Sequence, residues 1–136
     1  MNLIINTDGA SRGNPGLSSY GFIIKTDDGV ILHQEGKFIG HATNNIAEYT
    51  AVLKALEYVK NHFQRKAPHQ IQMVMDSQLV AQQLSGVYKI KHPGLKPLFE
   101  GIKILEFDLG RVDYKNVPRA QNFIADRLAN QALDNL

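Results

Sequence analysis

Four acidic residues stand where a carboxylate has chemistry open to it: Asp8, Glu48, Asp76 and Asp126. Asp8 ends the apolar stretch Leu3–Asp8 and meets Gly9-Ala10-Ser11-Arg12-Gly13-Asn14-Pro15-Gly16. A glycine-rich turn leaves the carboxylate unshielded and lets another backbone come close, although an acid there can also simply start a turn. The loop lacks the Gly-Lys-Ser/Thr ending and the following helix of a phosphate-binding P-loop. Glu48 falls in the first turn of a long helical stretch, where Asn45-Ile46-Ala47-Glu48 has capping-box spacing, so helix-start chemistry is its competing use. Asp76 follows Ile71-Gln72-Met73-Val74-Met75. Ligands gather at such strand ends in α/β sheets, and an Asp there can equally cap the next helix. Asp126 lies between Ile124-Ala125 and Leu128-Ala129, where a lone carboxylate is costly unless paired or metal-bound.

Taken together, the four suit hard divalent cations such as Mg²⁺, which take oxygen ligands and need several carboxylates to offset their charge. Two ions about 4 Å apart can stabilise both the attacking water and the leaving oxygen of an in-line phosphoryl displacement. Such a site needs two strand ends and two helices to converge, which requires the strands to be neighbours. The chain has no cysteine, which excludes disulfide scaffolds, thiolate zinc sites, iron–sulfur clusters and cysteine nucleophiles together.

The elements that must position these acids follow from the hydrophobic pattern. Leu3–Asp8, Tyr20–Thr26 and Val30–Ile39 read as three strands, with Asp27-Asp28-Gly29 as a hairpin turn. Their close succession predicts antiparallel pairing. From Asn45 the period changes: Ile46, Tyr49, Val52, Leu53, Leu56, Val59 and Phe63 form one face of a long helix, ended near Ala67-Pro68. Ile71–Asp76 is a fourth strand, expected parallel to the first because a helix separates them. Helical spacing returns at Leu79 to Leu84 and at Leu95 to Leu105, around the basic connector Lys89-Ile90-Lys91-His92-Pro93-Gly94. Arg111–Val117 is a fifth strand and Phe123–Leu133 a closing helix, with Leu128, Ala129, Ala132 and Leu133 inward. The expectation is an α/β fold, a five-stranded mixed sheet flanked by helices in the order β-β-β-α-β-α-α-β-α, as a single domain over residues 1–136.

At 136 residues, with 43% hydrophobic and 21% charged residues, the chain is an ordinary globular length and composition. No apolar run approaches a membrane span, and the N-terminus turns polar too early for a signal peptide, so a cytoplasmic location is expected. The net charge of +2 is mild, but residues 1–58 hold four Lys/Arg against six Asp/Glu and residues 59–136 hold eleven against seven. A polyanion is therefore attracted mainly to the second half.

Four segments carry a family resemblance: Thr7 to Gly16, Ala42-Thr43-Asn44-Asn45-Ile46-Ala47-Glu48-Tyr49, Asp76-Ser77-Gln78-Leu79-Val80, and Asn122 to Asn130. In this order, over nearly the whole chain, they resemble the type 1 ribonuclease H family. The resemblance implies a ribonuclease H-like fold and an endonuclease that cuts the RNA strand of RNA–DNA hybrids, leaving 3′-hydroxyl and 5′-phosphate ends. Asp8, Glu48, Asp76 and Asp126 then match the metal-binding catalytic carboxylates, holding two Mg²⁺ or Mn²⁺ ions when substrate is present. Ser11, Ser77 and the five histidines are not nucleophiles in that reading.

Asn14, Thr43, Asn44, Asn45 and Gln78 match substrate-contacting positions, and amides and hydroxyls suit 2′-hydroxyls and minor-groove base edges. Asn14 also reads as a turn residue, and Thr43 to Asn45 as helix caps. Many members carry a catalytic histidine on a loop before the last acid; residues 114–126 have none and offer Arg119 and Asn122 instead. Arginine is no general base at neutral pH but holds phosphate well, so Arg119 is expected on the scissile or departing phosphate, with plain surface charge as its competing use, and Asn122 is expected as a further substrate contact. The basic, aromatic protrusion of some members is largely missing, and the chain opens directly on its first strand. Lys89, Lys91 and Lys96 supply salt-sensitive contacts. Double-stranded RNA shares the A-form-like shape and is a possible second substrate; the expected state is a monomer. The reading from a different class is a catalytically idle nucleic-acid-binding relative, and against it stands the presence of all four acids.

Overall fold

The computed structural model describes residues 1–63 and 68–136. Strands β1 (Asn2–Arg12), β2 (Gly16–Thr26) and β3 (Ile31–Ala42) are followed by helix α1 (Asn44–His62) and strand β4 (His69–Met75). Helices α2 (Gln78–Leu84) and α3 (Lys96–Leu109) lead to β5 (Gly110–Asn116), a 3-10 turn at Arg119–Asn122, and α4 (Phe123–Asp134). The strands order as β3-β2-β1-β4-β5. β1, β2 and β3 pair antiparallel, while β4 is parallel to both β1 and β5. This is the expected element order and mixed sheet. The Ala67-Pro68 helix stop falls partly outside the described residues.

Alternation along β2 divides the molecule into layers. Tyr20, Phe22 and Ile24 join a core with Tyr49, Val52, Leu56 and Val59 of α1 and with Ile102 and Leu105 of α3. Ile46, Leu53 and Phe63, the rest of the expected α1 stripe, pack half-buried at its margin. The intervening residues meet α4 instead: Ser19 donates to the Ala129 carbonyl at 2.5 Å, and Gly21 lies under the Ala125–Ala129 backbone. A methyl at Gly21 would overlap the Ala125 carbonyl oxygen and the Ala129 nitrogen, so only glycine lets α4 settle on the sheet here. On the opposite face Gly9 does the same for α1, where a methyl would overlap the Glu48 nitrogen and the Ala47 carbonyl carbon.

Three local expectations change. β1 runs on to Arg12 and β2 begins at Gly16, so the glycine-rich stretch is mostly strand and Asp8 lies within β1, not at its end. The cap of α1 is Thr43, whose hydroxyl accepts from the Ile46 nitrogen at 3.2 Å, so Glu48 lies further into the helix than a capping box requires and has no capping role. The cap of α2 is Ser77, accepting from the Val80 nitrogen at 3.2 Å, and Asp76 is likewise released from capping. The hairpin turn at Asp27-Asp28-Gly29 closes as expected, with the Thr26 nitrogen donating to the Val30 carbonyl at 2.9 Å. No helix of the described residues is long and apolar enough to cross a membrane.

Candidate active site

The parallel pairing of β1 with β4 ends at Asn6 and Val74, two residues short of Asp8 and Asp76. Past that point β1 follows β2 and the chain after β4 turns into α2, so a gap opens between the strands. Asp8 lines it from β1 and Asp76 from the end of β4. Glu48 reaches it from α1, which Gly9 holds close against β1. Asp126 enters from the first turn of α4, where the helix terminus favours an anion. All four carboxylates line one cleft of about 310 Å³, with Asn44, Arg119 and Asn130 on its walls.

Burial, with the crowding of like charges added to it, governs the electrostatics. Burial first, then the charge of Asp76 and contact with Asp126, pushes Asp8 up to about 8. Burial and the Asp76 charge, opposed by a hydrogen bond to Ser77, push Glu48 up to about 7. Asp76 is raised as well, mainly by burial. Glu48 Oε2 is buried without a hydrogen-bond partner. Asp126 is tied on one oxygen: Oδ1 accepts from Arg119 Nη2 at 3.2 Å and from Asn130 Nδ2 at 3.2 Å. Among the described residues no three acids or histidines stand ready as a closed metal-ligand set. An all-oxygen donor set in which burial and mutual repulsion raise Asp8, Glu48 and Asp76, with an orphaned carboxylate oxygen in it, nonetheless fits divalent cations.

A second cleft of about 430 Å³ adjoins the first and shares Asn44 and Glu48 with it. Asn14, Thr43 and Asn45 line it together with His92 and Leu95. Asn14 Oδ1 accepts from the Asn44 nitrogen at 3.1 Å, which ties the β1–β2 turn to the start of α1. Gln78 is exposed at the first position of α2 and lines neither cleft. Asn122 departs from the expectation of substrate contact: it is 1% exposed, donates to the Thr7 carbonyl at 2.9 Å and accepts from Asn6 Nδ2 at 3.1 Å. Its amide is consumed in pinning α4 to β1. The sequence reading missed Asn130, although its position four residues after Asp126 puts it on the same helix face.

A family profile described as reverse transcriptase-like matches residues 6–132. Ribonuclease HI of Halobacterium salinarum is 42% identical over 129 residues, 93% of this chain and 62% of that one. The chain belongs to the type 1 ribonuclease H family. LC11 RNase H1, solved in complex with an RNA/DNA hybrid, shares this ribonuclease H fold with a TM-score of 0.94 at 37% identity, covering 98% of this chain and 97% of that one. A bifunctional protein of Mycobacterium tuberculosis is 42% identical over 135 residues, 98% of this chain and 36% of that one. The present ribonuclease H chain therefore spans less than two-thirds of either curated relative.

Proposed function

We propose that the protein is a cytoplasmic, monomeric endonuclease, catalytic as one unit over residues 1–136, that hydrolyses the RNA strand of RNA–DNA hybrids. The observation that carries this is the convergence of four carboxylates, from four separate elements, on one cleft that opens into an amide-lined neighbour. The hybrid bound by LC11 RNase H1 supports the substrate class. Asp8, Glu48, Asp76 and Asp126 hold two Mg²⁺ or Mn²⁺ ions. Bound there, the ions supply water activation and charge neutralisation for an in-line displacement at phosphorus. The water oxygen bonds to phosphorus as the bond to the 3′ oxygen breaks, giving 3′-hydroxyl and 5′-phosphate ends.

The chain's own side chains bind and orient. Asn14, Thr43, Asn44 and Asn45, with Gln78 at the α2 start, read ribose hydroxyls and minor-groove edges, which selects shape over sequence. Arg119, its side chain 75% exposed at the mouth of the acid cleft, holds a phosphate oxygen. The amide set has no reason to reject a second ribose strand, so double-stranded RNA is cut more slowly as a secondary substrate. The test is a gel assay on an end-labelled 20-base-pair hybrid with Mg²⁺, Mn²⁺ or chelator, beside Asp76→Asn and matched duplex RNA and DNA. Metal-dependent cutting of the RNA strand, abolished by the substitution, supports the reading; a folded protein that cuts hybrid with neither metal refutes it.

A further inference from the structure

Arg119 is the cation the acid cleft carries for itself. Its guanidinium reaches Asp126 Oδ1 at 3.2 Å from the 3-10 turn that precedes α4, and of the four carboxylates only Asp126 is ion-paired among the described residues. The guanidinium also feels Asp8 and Asp76, and together these acids hold its proton more tightly than usual, Asp126 most of all. Its side chain is 75% exposed while that of Asp126 is 27% exposed, so Arg119 can leave for solvent at small cost and Asp126 cannot.

We propose that Arg119 is a tethered counterion which competes with divalent cations for the carboxylate cluster and is released toward the substrate phosphate when the cations bind. The inference rests on the metal-binding reading of the four acids given above. An incoming dication meets a cleft whose charge Arg119 has already partly neutralised, and it must weaken an existing ion pair at Asp126. The same event that fills the cleft therefore frees the arginine for a phosphate, which couples metal loading to substrate grip without any movement of the backbone. Asn130 holds the same oxygen from within α4 and keeps Asp126 aimed when Arg119 departs.

An exposed pair of this kind is worth a factor of about 1.4 to 5 in an equilibrium. Titration calorimetry with MnCl₂ and with MgCl₂, in the absence of nucleic acid, tests this on the wild type, Arg119→Ala and Arg119→Lys. Arg119→Ala is expected to bind metal about 1.4- to 5-fold tighter, and Arg119→Lys close to the wild type, because the charge and not the fork geometry competes. The gain should shrink in about 1 M NaCl, where screening acts over about 3 Å. Thermal unfolding supplies the reciprocal reading: with chelator the Ala variant melts lower by about 1–4 °C, and saturating metal closes or reverses that gap. Unchanged or weaker metal binding by Arg119→Ala, or a melting gap that is the same with and without metal, overturns the proposal. Failure of the wild type to bind either metal overturns instead the metal-binding reading on which it stands.

Discussion

Replacing Asp8 by Asn should make the metal-free protein more stable, and the gain should depend on pH in one direction only. Asp8 is pushed up to about 8 from its ordinary 3.8, so the folded state binds a proton over a range where the unfolded chain has lost it. Stability then falls with rising pH: the penalty is absent below 3.8, grows between 3.8 and about 8, and is complete above that. At pH 7 the shift amounts to at most about 4 kcal/mol, at about 1.4 kcal/mol per unit. Asp76, itself raised, shares the repulsion and relaxes by taking up protons of its own, and the Asn amide is still desolvated. We therefore expect about half, near 2 kcal/mol, or a Tm raised by about 6–10 °C for a chain of this length. Circular dichroism melts of both proteins in chelator, from pH 3.5 to 9, measure it directly. The difference should vanish near pH 3.5, rise to a plateau by about pH 8, and narrow when Mg²⁺ is added. Equal Tm values at pH 7, or a gain as large at pH 3.5 as at pH 8, would refute the raised Asp8 that burial and crowding together imply.

Other outcomes follow from the same geometry. Gly9→Ala forces α1 off β1 at Ala47 and Glu48 and should cost about 1–3 kcal/mol by overpacking, with kcat on hybrid falling further than the melting temperature alone explains. Asn122→Ala strands Asn6 and the Thr7 carbonyl in the interior and should cost about 1–3 kcal/mol. Binding of a hybrid by the folded fraction should hold, and a large rise in KM with an unchanged melt would restore Asn122 to the substrate. Thr43→Ala removes the α1 cap, worth about 1 kcal/mol, and should weaken hybrid binding as well; Thr43→Ser should recover the stability first.

The sequence disclosed what depends on local period and missed what depends on long-range pairing. The α1 stripe from Tyr49 to Val59 and the order of strands and helices were legible because burial repeats every three or four residues in α1, while Ser18 to Ile24 of β2 form one unbroken buried run between turn residues. All four acids were found, but the reasons offered for their exposure were partly wrong. Asp8 is free because β1 parts from β4 after Asn6, and no pattern within residues 1–16 encodes where it separates from a strand as distant in sequence as β4. Thr43, Asn44 and Asn45 are all capable caps, and choosing among them decides whether Glu48 falls in a capping box or beyond it. Asn122 was expected beside Arg119 on the substrate because it stands in the loop before the last acid; its burial is dictated by Asn6, which alternates onto the α4 face of β1.

That alternation ties the site to the core through one register. Leu3 and Ile5 point into the α1 core, and Asn6 and Asp8 fall on the other parity of the same strand. A one-residue insertion or deletion between Ile5 and Asp8 would swing Asp8 to the opposite face of the sheet, and one before Leu3 would leave the pairing to absorb it. Substitutions in this strand can be tried one at a time, whereas length changes between Ile5 and Asp8 are closed to it. A lineage carrying this strand can diverge widely in side chains while the spacing from Leu3 to Asp8 stays fixed, because any chain that packs its core correctly has already aimed its first carboxylate.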